Sequence, residues 1–455
     1  MTRYTSATPD DRAEMLAAIG VESTADLFAQ IPEPLRLGRP LALPAGMGEA
    51  EVYERLAALA ARNADCEEQV CFLGAGMYDH YVPAIVDAIT QRSEFLTPYT
   101  PYQPEISQGG LQAMFEFQTA MSELTALPVS NAGLYEGPSS VASAAYLALG
   151  ATKDRRRFVV SRGVHPHSRE TLATYSAGFG TEIEEVGLEG GVTDAAALAE
   201  AVDGETAAVF LQSPNFLGAI EDVEMLGAVA KQHGALLIVA VDPMTLGVLR
   251  PPGECGADIA LGEGQPLGNR LDFGGPSFGF FCGSEELIRK MPGRIAGETD
   301  DADGRRGFVL ALQTREQHIR REKATHNICT AQALNALAAT IHLAWLGRKG
   351  FRELGELLVR RTAYARDRLA AVQGVELLHD APVAREFALR LDAPVDRVLD
   401  RCAERGIAAG YPLGREYSEY EDGLLVAITE RRTREQIDAL VDALGAAVAA
   451  EAVTV

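Results

Sequence analysis

Short apolar runs alternate with amphipathic stretches through the middle of the chain. Residues 207–212, apart from Gln212, and residues 235–241 are apolar, and the second run is rich in β-branched side chains, a pattern typical of strands buried on both faces. The segments 182–187, 257–261 and 277–282, of which the first alternates Glu with apolar residues, predict three more strands. Helical patterns separate most of these runs, and strands that alternate with helices predict a parallel sheet.

The pattern differs at the two ends of the chain. Residues 1–65 hold three helical stretches interrupted by prolines, which predicts an N-terminal helical arm. Residues 66–325 carry the alternation of strands and helices and form a predicted large domain. Residues 326–455 are predicted to form a small C-terminal α/β domain, which ends in an edge strand and a closing helix. The fold class predicted is therefore α/β, with the sheet in the large domain.

Composition narrows the classes of function. A formal net charge of −23 disfavours binding to nucleic acids and to anionic membrane surfaces. The six cysteines are scattered without a CxxC pair, so neither a disulfide framework nor a zinc site is expected. No stretch is long and apolar enough to span a bilayer, and the N-terminus lacks the apolar core of a signal peptide. A cytoplasmic location is the expectation.

The strand predicted at 235–241 ends at Asp242. In an open α/β sheet, a carboxylate at the carboxyl end of a strand faces the ligand crevice. The order of strand, Asp, short strand, polar loop and strand resembles the cofactor site of fold-type-I pyridoxal-phosphate (PLP) enzymes. In those enzymes the Asp pairs with the pyridinium nitrogen, and a later Lys forms the Schiff base.

The chain has no lysine where that resemblance requires one. Its five lysines are Lys153, Lys231, Lys290, Lys323 and Lys349. The loop that should carry the Schiff base reads GEGQPLG, with Gln265 near its middle, and a glutamine amide cannot form a Schiff base. Lysines are rare throughout the chain, but base composition would not remove an obligatory one.

Two further segments resemble parts of a cofactor site. Ser139 and Ser140 stand at the predicted start of a helix, where N–H groups and hydroxyls can cradle a phosphate, although such a pair is also an ordinary helix cap. His165 follows a predicted strand, together with His167, at a position from which PLP enzymes of this class stack an aromatic ring on the cofactor.

A second candidate site lies earlier in the chain. The segment TPYTPYQPEISQG is too rich in proline to be a regular element, and it carries Tyr99, Tyr102, Gln103 and Glu105. A polar aromatic cluster of Asp79, His80 and Tyr81 precedes it. Loops this dense in such side chains form binding sites or interfaces more often than plain connections.

The chain resembles a known family, the α subunits (subunit 1) of the glycine decarboxylase P-protein of the glycine cleavage system. The resemblance runs from about residue 10 to about residue 450. The motifs that carry it are MYDHYVPAIVDAI, SEFLTPYTPYQPEISQGGLQAMFEFQT, SPNFLGAIED, AVDPMTLG, GADIALGEGQPLG with FGGPSFGFF, and TREQHIRREKATHNICT.

The resemblance implies a PLP-dependent transferase fold of type I with a central, mainly parallel sheet of seven strands. It implies a glycine dehydrogenase (aminomethyl-transferring) built as an α2β2 heterotetramer. The β subunit binds PLP and carries the Schiff-base Lys. The pair decarboxylates glycine and passes the aminomethyl group to the lipoyl arm of the H-protein.

On this interpretation no catalytic residue is expected on the present chain. Asp242, His165, Ser139 and Ser140 would be relics of a lost cofactor site. The residues of the second candidate site would line the substrate channel or the subunit interface, and the interface is the preferred reading.

Two alternatives stay open at this stage. The first is an independent fold-type-I PLP aminotransferase or decarboxylase that uses Lys290 or another lysine. Lys290 is far from Asp242 in sequence and lies in a charged segment, EELIRKMPG, which argues against it. The second is a scaffold subunit that makes no contact with an active site.

Overall fold

The computed structural model describes residues 6–152, 155–325 and 328–452. The chain divides between Ala64 and Asp65 into two compact units. Helices α1 (Pro9–Ile19) and α2 (Glu49–Ala60) belong to the smaller, N-terminal unit. Short 3-10 turns at 24–28 and 33–35 lie between them. None of the described residues of this unit is buried.

The larger unit holds the remaining elements. Its strands are β1 (Val70–Cys71), β2 (Val129–Ser130), β3 (Arg157–Ser161), β4 (Glu182–Val186), β5 (Leu188–Glu189), β6 (Val192–Thr193), β7 (Thr206–Ser213), β8 (Leu236–Val241), β9 (Ile259–Glu263), β10 (Gly279–Gly283), β11 (Ile295–Asp300), β12 (Arg306–Ala311), β13 (Val375–Leu377), β14 (Glu386–Leu391), β15 (Ile407–Ala408), β16 (Tyr411–Pro412) and β17 (Gly423–Ala427). Its helices are α3 (Ala84–Thr90), α4 (Ser93–Leu96), α5 (Gln108–Thr125), α6 (Gly137–Thr152), α7 (Pro166–Phe179), α8 (Ala195–Ala201), α9 (Val223–Gln232), α10 (Gln317–Arg320), α11 (Ala333–Ala370), α12 (Val395–Ala403) and α13 (Arg434–Ala452). Helix α11 is kinked at Gly347, whose backbone is non-helical.

Seven strands form the central sheet, in the order β2-β10-β9-β8-β7-β3-β4. The five strands from β9 to β4 are parallel to one another. Strand β10 is antiparallel to both of its neighbours, so the sheet is mixed at this edge. The prediction of a parallel arrangement is therefore wrong for β10. A parallel return needs a crossover, usually a helix, and residues 264–278, which are all described, contain none.

Both faces of this sheet are covered. Along β8, Leu237 and Val239 belong to a core cluster that includes helices α5, α9 and α11. The alternate residues Ile238 and Ala240 belong to a second cluster, on the side of α6 and α7. Successive side chains of a strand point to opposite faces, so a strand buried on both sides must be apolar at every position.

A four-stranded antiparallel sheet, β13-β14-β17-β16, forms a third core with α12, α13 and the end of α11. The terminal strand β17 was expected at an edge, but it pairs with both β14 and β16. The expected division into large and small domains stays a prediction, and residue 326, where it was placed, lies outside the described residues. Within the described ranges, no helix combines the length and the apolar character needed to cross a membrane.

Candidate functional site

The carboxyl ends of β3, β7, β8 and β9 open into a cavity of about 480 Å³. Its lining includes His165, Gln212, Asp242, Glu263 and Arg385. Each of the first four lies near or after the carboxyl end of one of these parallel strands, and such strand ends meet at one edge of the sheet. The cavity therefore lies where the sequence predicted a cofactor crevice, and it contains two of the four predicted relic residues.

Asp242 is already paired. Its carboxylate forms an ion pair with Arg385, which is only 1% exposed, and its other oxygen accepts a hydrogen bond of 3.1 Å from the backbone N–H of Met244. The Arg385 guanidinium lies 3.4 Å from the centroid of the Tyr78 ring and also contacts His80. A ligand nitrogen would have to compete with a buried charge for Asp242.

His165 is held by backbone groups. Its Nε2–H donates to the carbonyl oxygen of Ala75 at 2.8 Å, and its Nδ1 accepts from the N–H of His167 at 3.1 Å. Burial lowers the pKa of His165 to about 4, so the ring is neutral at pH 7. Gly76 has a positive φ of 97°, and a Cβ there would lie 2.9 Å from the ring, so the chain needs glycine at this close approach.

The start of α6 uses both predicted serines internally. The Ser139 hydroxyl donates to the carboxylate of Glu136, and the Ser140 hydroxyl donates to the Glu136 carbonyl oxygen at 3.0 Å. The backbone N–H of Gly137 donates to Glu263 at 3.1 Å. The groups that could cradle a phosphate therefore already have partners.

Gln265 is not among the residues that line the cavity, and it is fully buried. Its amide oxygen accepts from the Tyr78 N–H at 2.9 Å. Its amide nitrogen donates to the carbonyl oxygens of Tyr78 at 2.9 Å and of Asn269 at 2.8 Å. The Gln265 side chain thus fixes the backbone of Tyr78, directly before the polar aromatic cluster of residues 79–81.

The residues of this cavity do not fit PLP. Among the described lysines, Lys231, Lys290, Lys323 and Lys349 are all absent from its lining, and Lys153 lies outside the described residues. The carboxylate for the ring nitrogen is ion-paired, and the donors for the phosphate are occupied. This cavity therefore differs from the PLP site of this fold in its carboxylate and in its phosphate donors, as well as in the missing lysine.

The polar aromatic cluster of residues 79–81 binds the segment before α13. Asp79 pairs with Arg431 and, at 2.8 Å, with Arg432. The Nδ1 of His80 lies 2.7 Å from the carboxylate of Glu430.

Glu430 also accepts a hydrogen bond from the backbone N–H of Tyr81 at 2.7 Å. Burial alone would raise the pKa of Glu430, but His80 and the N–H of Tyr81 lower it to about 2. Asp79 and His80 are buried, whereas the Tyr81 side chain is 56% exposed.

The proline-rich loop borders a second cavity, of about 600 Å³. Tyr99 lines this cavity and is 80% exposed. The Tyr102 hydroxyl accepts a hydrogen bond of 3.2 Å from the nearly buried guanidinium of Arg294, which also lines the cavity. Gln103 and Glu105 are exposed and lie outside the lining. The structure thus brings one of the four predicted loop residues to the cavity wall and a second next to it.

Sequence reasoning missed four residues that shape these cavities: Glu136, Glu263, Arg294 and Arg385. Glu263 carried a signal, because it ends a predicted strand in the same loop as Gln265. Glu136 carried a weaker one, three residues before Ser139. Arg294 and Arg385 gave none, because distant segments bring them to the cavities.

The mixed seven-stranded sheet, with helices on both faces and a cavity at the carboxyl ends of its parallel strands, defines an α/β protein of the PLP-dependent transferase fold. A sphingosine-1-phosphate lyase from Burkholderia pseudomallei, 16% identical, shares this fold with a TM-score of 0.65 over 92% of this chain and 94% of that chain. Residues 2–444 match the family model described as Glycine cleavage system P-protein, and the chain belongs to this family.

Similar proteins cover nearly the whole chain. A probable glycine dehydrogenase (decarboxylating) subunit 1 from Carboxydothermus hydrogenoformans is 49% identical over 443 residues, which are 97% of this chain and 99% of that protein. A crystal structure of glycine decarboxylase (P-protein) of the glycine cleavage system, in inhibitor-bound form, is 43% identical. It superposes with a TM-score of 0.89 over 98% of this chain and 100% of that chain. The resemblance inferred from the motifs is confirmed, and an independent PLP enzyme is not favoured.

Proposed function

We propose that this chain is the α subunit, subunit 1, of a heteromeric glycine decarboxylase. With its β subunit, it decarboxylates glycine and transfers the aminomethyl group to the lipoyl arm of the H-protein in the cytoplasm. Family membership and full-length similarity to a protein named subunit 1 support this proposal. The observation that carries the supporting role is Gln265, a buried structural amide near the place of the Schiff-base lysine.

The cofactor belongs to the β subunit in this proposal. PLP supplies an electron sink for the carbon that loses carbon dioxide. The residues of the present chain would instead place the reactants, and correct placement alone can contribute about 7–11 kcal/mol to lowering a barrier. The ion pair of Asp242 with Arg385 supports this division, because it leaves no free carboxylate for a ring nitrogen.

The proline-rich loop is the part of the chain that we assign to the channel or the subunit interface. Tyr99 and Tyr102 are exposed aromatic side chains, and Gln103 and Glu105 are exposed polar ones next to them. Exposed aromatic side chains of this kind are enriched where proteins bind partners. The adjacent cavity has a largely apolar wall, which includes Phe95, Leu96, Pro98, Met114, Phe117 and Leu337.

This cavity suits a ligand that is mostly apolar with one polar group, as a lipoyl arm is. No side chain caps the start of α11, and Gln332 at this position lines both cavities. An amide carbonyl of the arm would find donors at this end.

Two copies of each subunit are the expected assembly.

The experiment is a reconstitution. The purified chain is mixed with PLP, alone and then together with its candidate β subunit, and visible absorbance is recorded. Release of carbon dioxide from carboxyl-labelled glycine is then measured with lipoylated H-protein. We expect no Schiff-base band from the chain alone, and activity only from the pair. A band and turnover of an amino acid by the chain alone would contradict the proposal.

A further inference from the structure

Two carboxylates of this chain occupy the start of α6. The backbone N–H of Gly137 donates to Oε2 of Glu263 at 3.1 Å, and the backbone N–H of Ser139 donates to Oε1 of Glu136 at 3.1 Å. The Ser139 hydroxyl donates to the same oxygen of Glu136. The first turn of a helix favours negative charge, because its N–H groups are unpaired within the helix and its dipole is positive there.

Both carboxylate oxygens of Glu263 accept hydrogen bonds that hold the side chain in this position. Its Oε1 accepts the backbone N–H of Gln265 at 2.9 Å and also the hydroxyl of Ser277. A Cβ on Gly137 would lie 3.0 Å from the backbone nitrogen of Glu263, so the start of the helix and the end of β9 are in close contact. The carboxylate is therefore held by donors from three segments and cannot swing aside without losing all of them.

We propose that Glu136 and Glu263 are a built-in replacement for a bound anion, and that they exclude phosphate-bearing ligands from the cavity at the sheet edge. The exclusion acts independently of the missing lysine. A phosphate monoester carries a charge of about −1.5 to −2 at pH 7 and would meet two carboxylates at the donors it needs. The inference deepens the proposed function and rests on it, because it explains why this subunit leaves the cofactor to its partner.

The test uses the full-length chain and a probe without an aldehyde, pyridoxamine 5′-phosphate, which cannot form a Schiff base with surface lysines. Binding is measured by equilibrium dialysis, with inorganic phosphate as competitor. We expect the variant E136S/E263S to bind the probe at least tenfold more tightly than the wild-type chain, and phosphate to displace it. The control E200S/E376S removes two exposed carboxylates elsewhere and should bind like wild type.

Two results would overturn the inference. One is a wild-type chain that binds the probe as tightly as E136S/E263S does. The other is a folded E136S/E263S chain, verified by circular dichroism, without a gain in affinity. If that variant does not fold, E136Q/E263Q decides, because it removes the charges and keeps the acceptor oxygens: a tenfold gain supports the inference and no gain overturns it. Reconstituted release of carbon dioxide is a separate measurement, so failure of the proposed function is recognised independently.

Discussion

Gln265 and the backbone of Tyr78 are joined by two hydrogen bonds of 2.9 Å each, one in each direction. A side chain that was expected only to mark an absent lysine therefore has a structural task of its own. It connects the loop after β9 to the segment that leads into Asp79 and His80.

Restoring a lysine at this position should not restore cofactor binding. We expect Q265K to show no Schiff-base absorbance with PLP, since residue 265 is fully buried outside the cavity lining and the carboxylates at α6 remain. The change removes three buried hydrogen bonds, so the free energy of unfolding should fall by about 2–5 kcal/mol. Urea denaturation measures this loss, and Q112K, on the exposed face of α5, is the matched control. A visible band from Q265K would contradict this prediction.

Removing one partner of the ion pair between Asp242 and Arg385 should lower the free energy of unfolding more than replacing both partners with apolar residues does. Leucine at Arg385 leaves the Asp242 carboxylate without its buried partner, and we expect R385L to lose about 3–5 kcal/mol of unfolding free energy. The double variant D242L/R385L should be less destabilised than R385L alone, because no unpaired charge remains. Chemical denaturation of both single variants and the double variant completes the cycle, and strictly additive losses would refute a coupling between the two residues.

His342 should make stability depend on pH in the weakly acidic range. Burial lowers its pKa from 6.5 to about 4, and its Nδ1 has no hydrogen-bond partner among the described residues. Below pH 6.5 the unfolded chain binds a proton that the folded chain does not, so stability is lost as pH falls from 6.5 to about 4.

We expect H342L to reduce this pH dependence by up to about 1.4 kcal/mol per pH unit. Unfolding free energies at several pH values across this window give the slope. H233Q, at an exposed histidine, is measured alongside as the matched histidine substitution. Equal slopes for wild type and H342L would show that His342 titrates normally in the folded chain.

Substitutions of Tyr102 test whether the proline-rich loop contributes to activity or whether the chain is only a scaffold. In the reconstituted enzyme we expect Y102A to lower kcat/KM for the H-protein roughly 10- to 100-fold, because reactants misplaced by about 1 Å react far more slowly. Y102F, which keeps the ring beside Arg294, should lose less. Y175A removes an equally exposed tyrosine on α7 and serves as control. Full activity of Y102A in an intact complex would favour the scaffold alternative.

The elements that the sequence predicted well are those whose pattern is local. Strands β7, β8 and β9 were predicted within two residues at each end, since a strand covered by helices on both faces is apolar throughout. The direction of β10 was not predictable from its own residues, because it depends on how the connection after Glu263 returns. Strand β17 was taken for an edge strand because its neighbour β16 has only two residues and leaves no pattern.

In the candidate site, too, only the features that depend on local sequence could be predicted. Asp242 and His165 were placed at the correct sheet edge, because residues that follow parallel strands share that edge. The residues that occupy the hydrogen-bonding groups of this site could not be identified from the sequence. Arg385 reaches Asp242 from the start of β14, and Glu263 reaches Gly137 from the end of β9. Such contacts depend on tertiary packing between segments far apart in sequence.

Helix α11 is shared between two hydrophobic cores. Ala336 and Phe351 pack in the core of the seven-stranded sheet, whereas Ala365 and Leu369 pack in that of the four-stranded sheet. The backbone of α11 is non-helical at Gly347, and the helical segment after it carries both Phe351 and Ala365. Loss of either core would therefore expose one side of this segment and withdraw support from the other core. The two sheets are therefore thermodynamically linked, and they should melt as one cooperative unit rather than in two calorimetric steps.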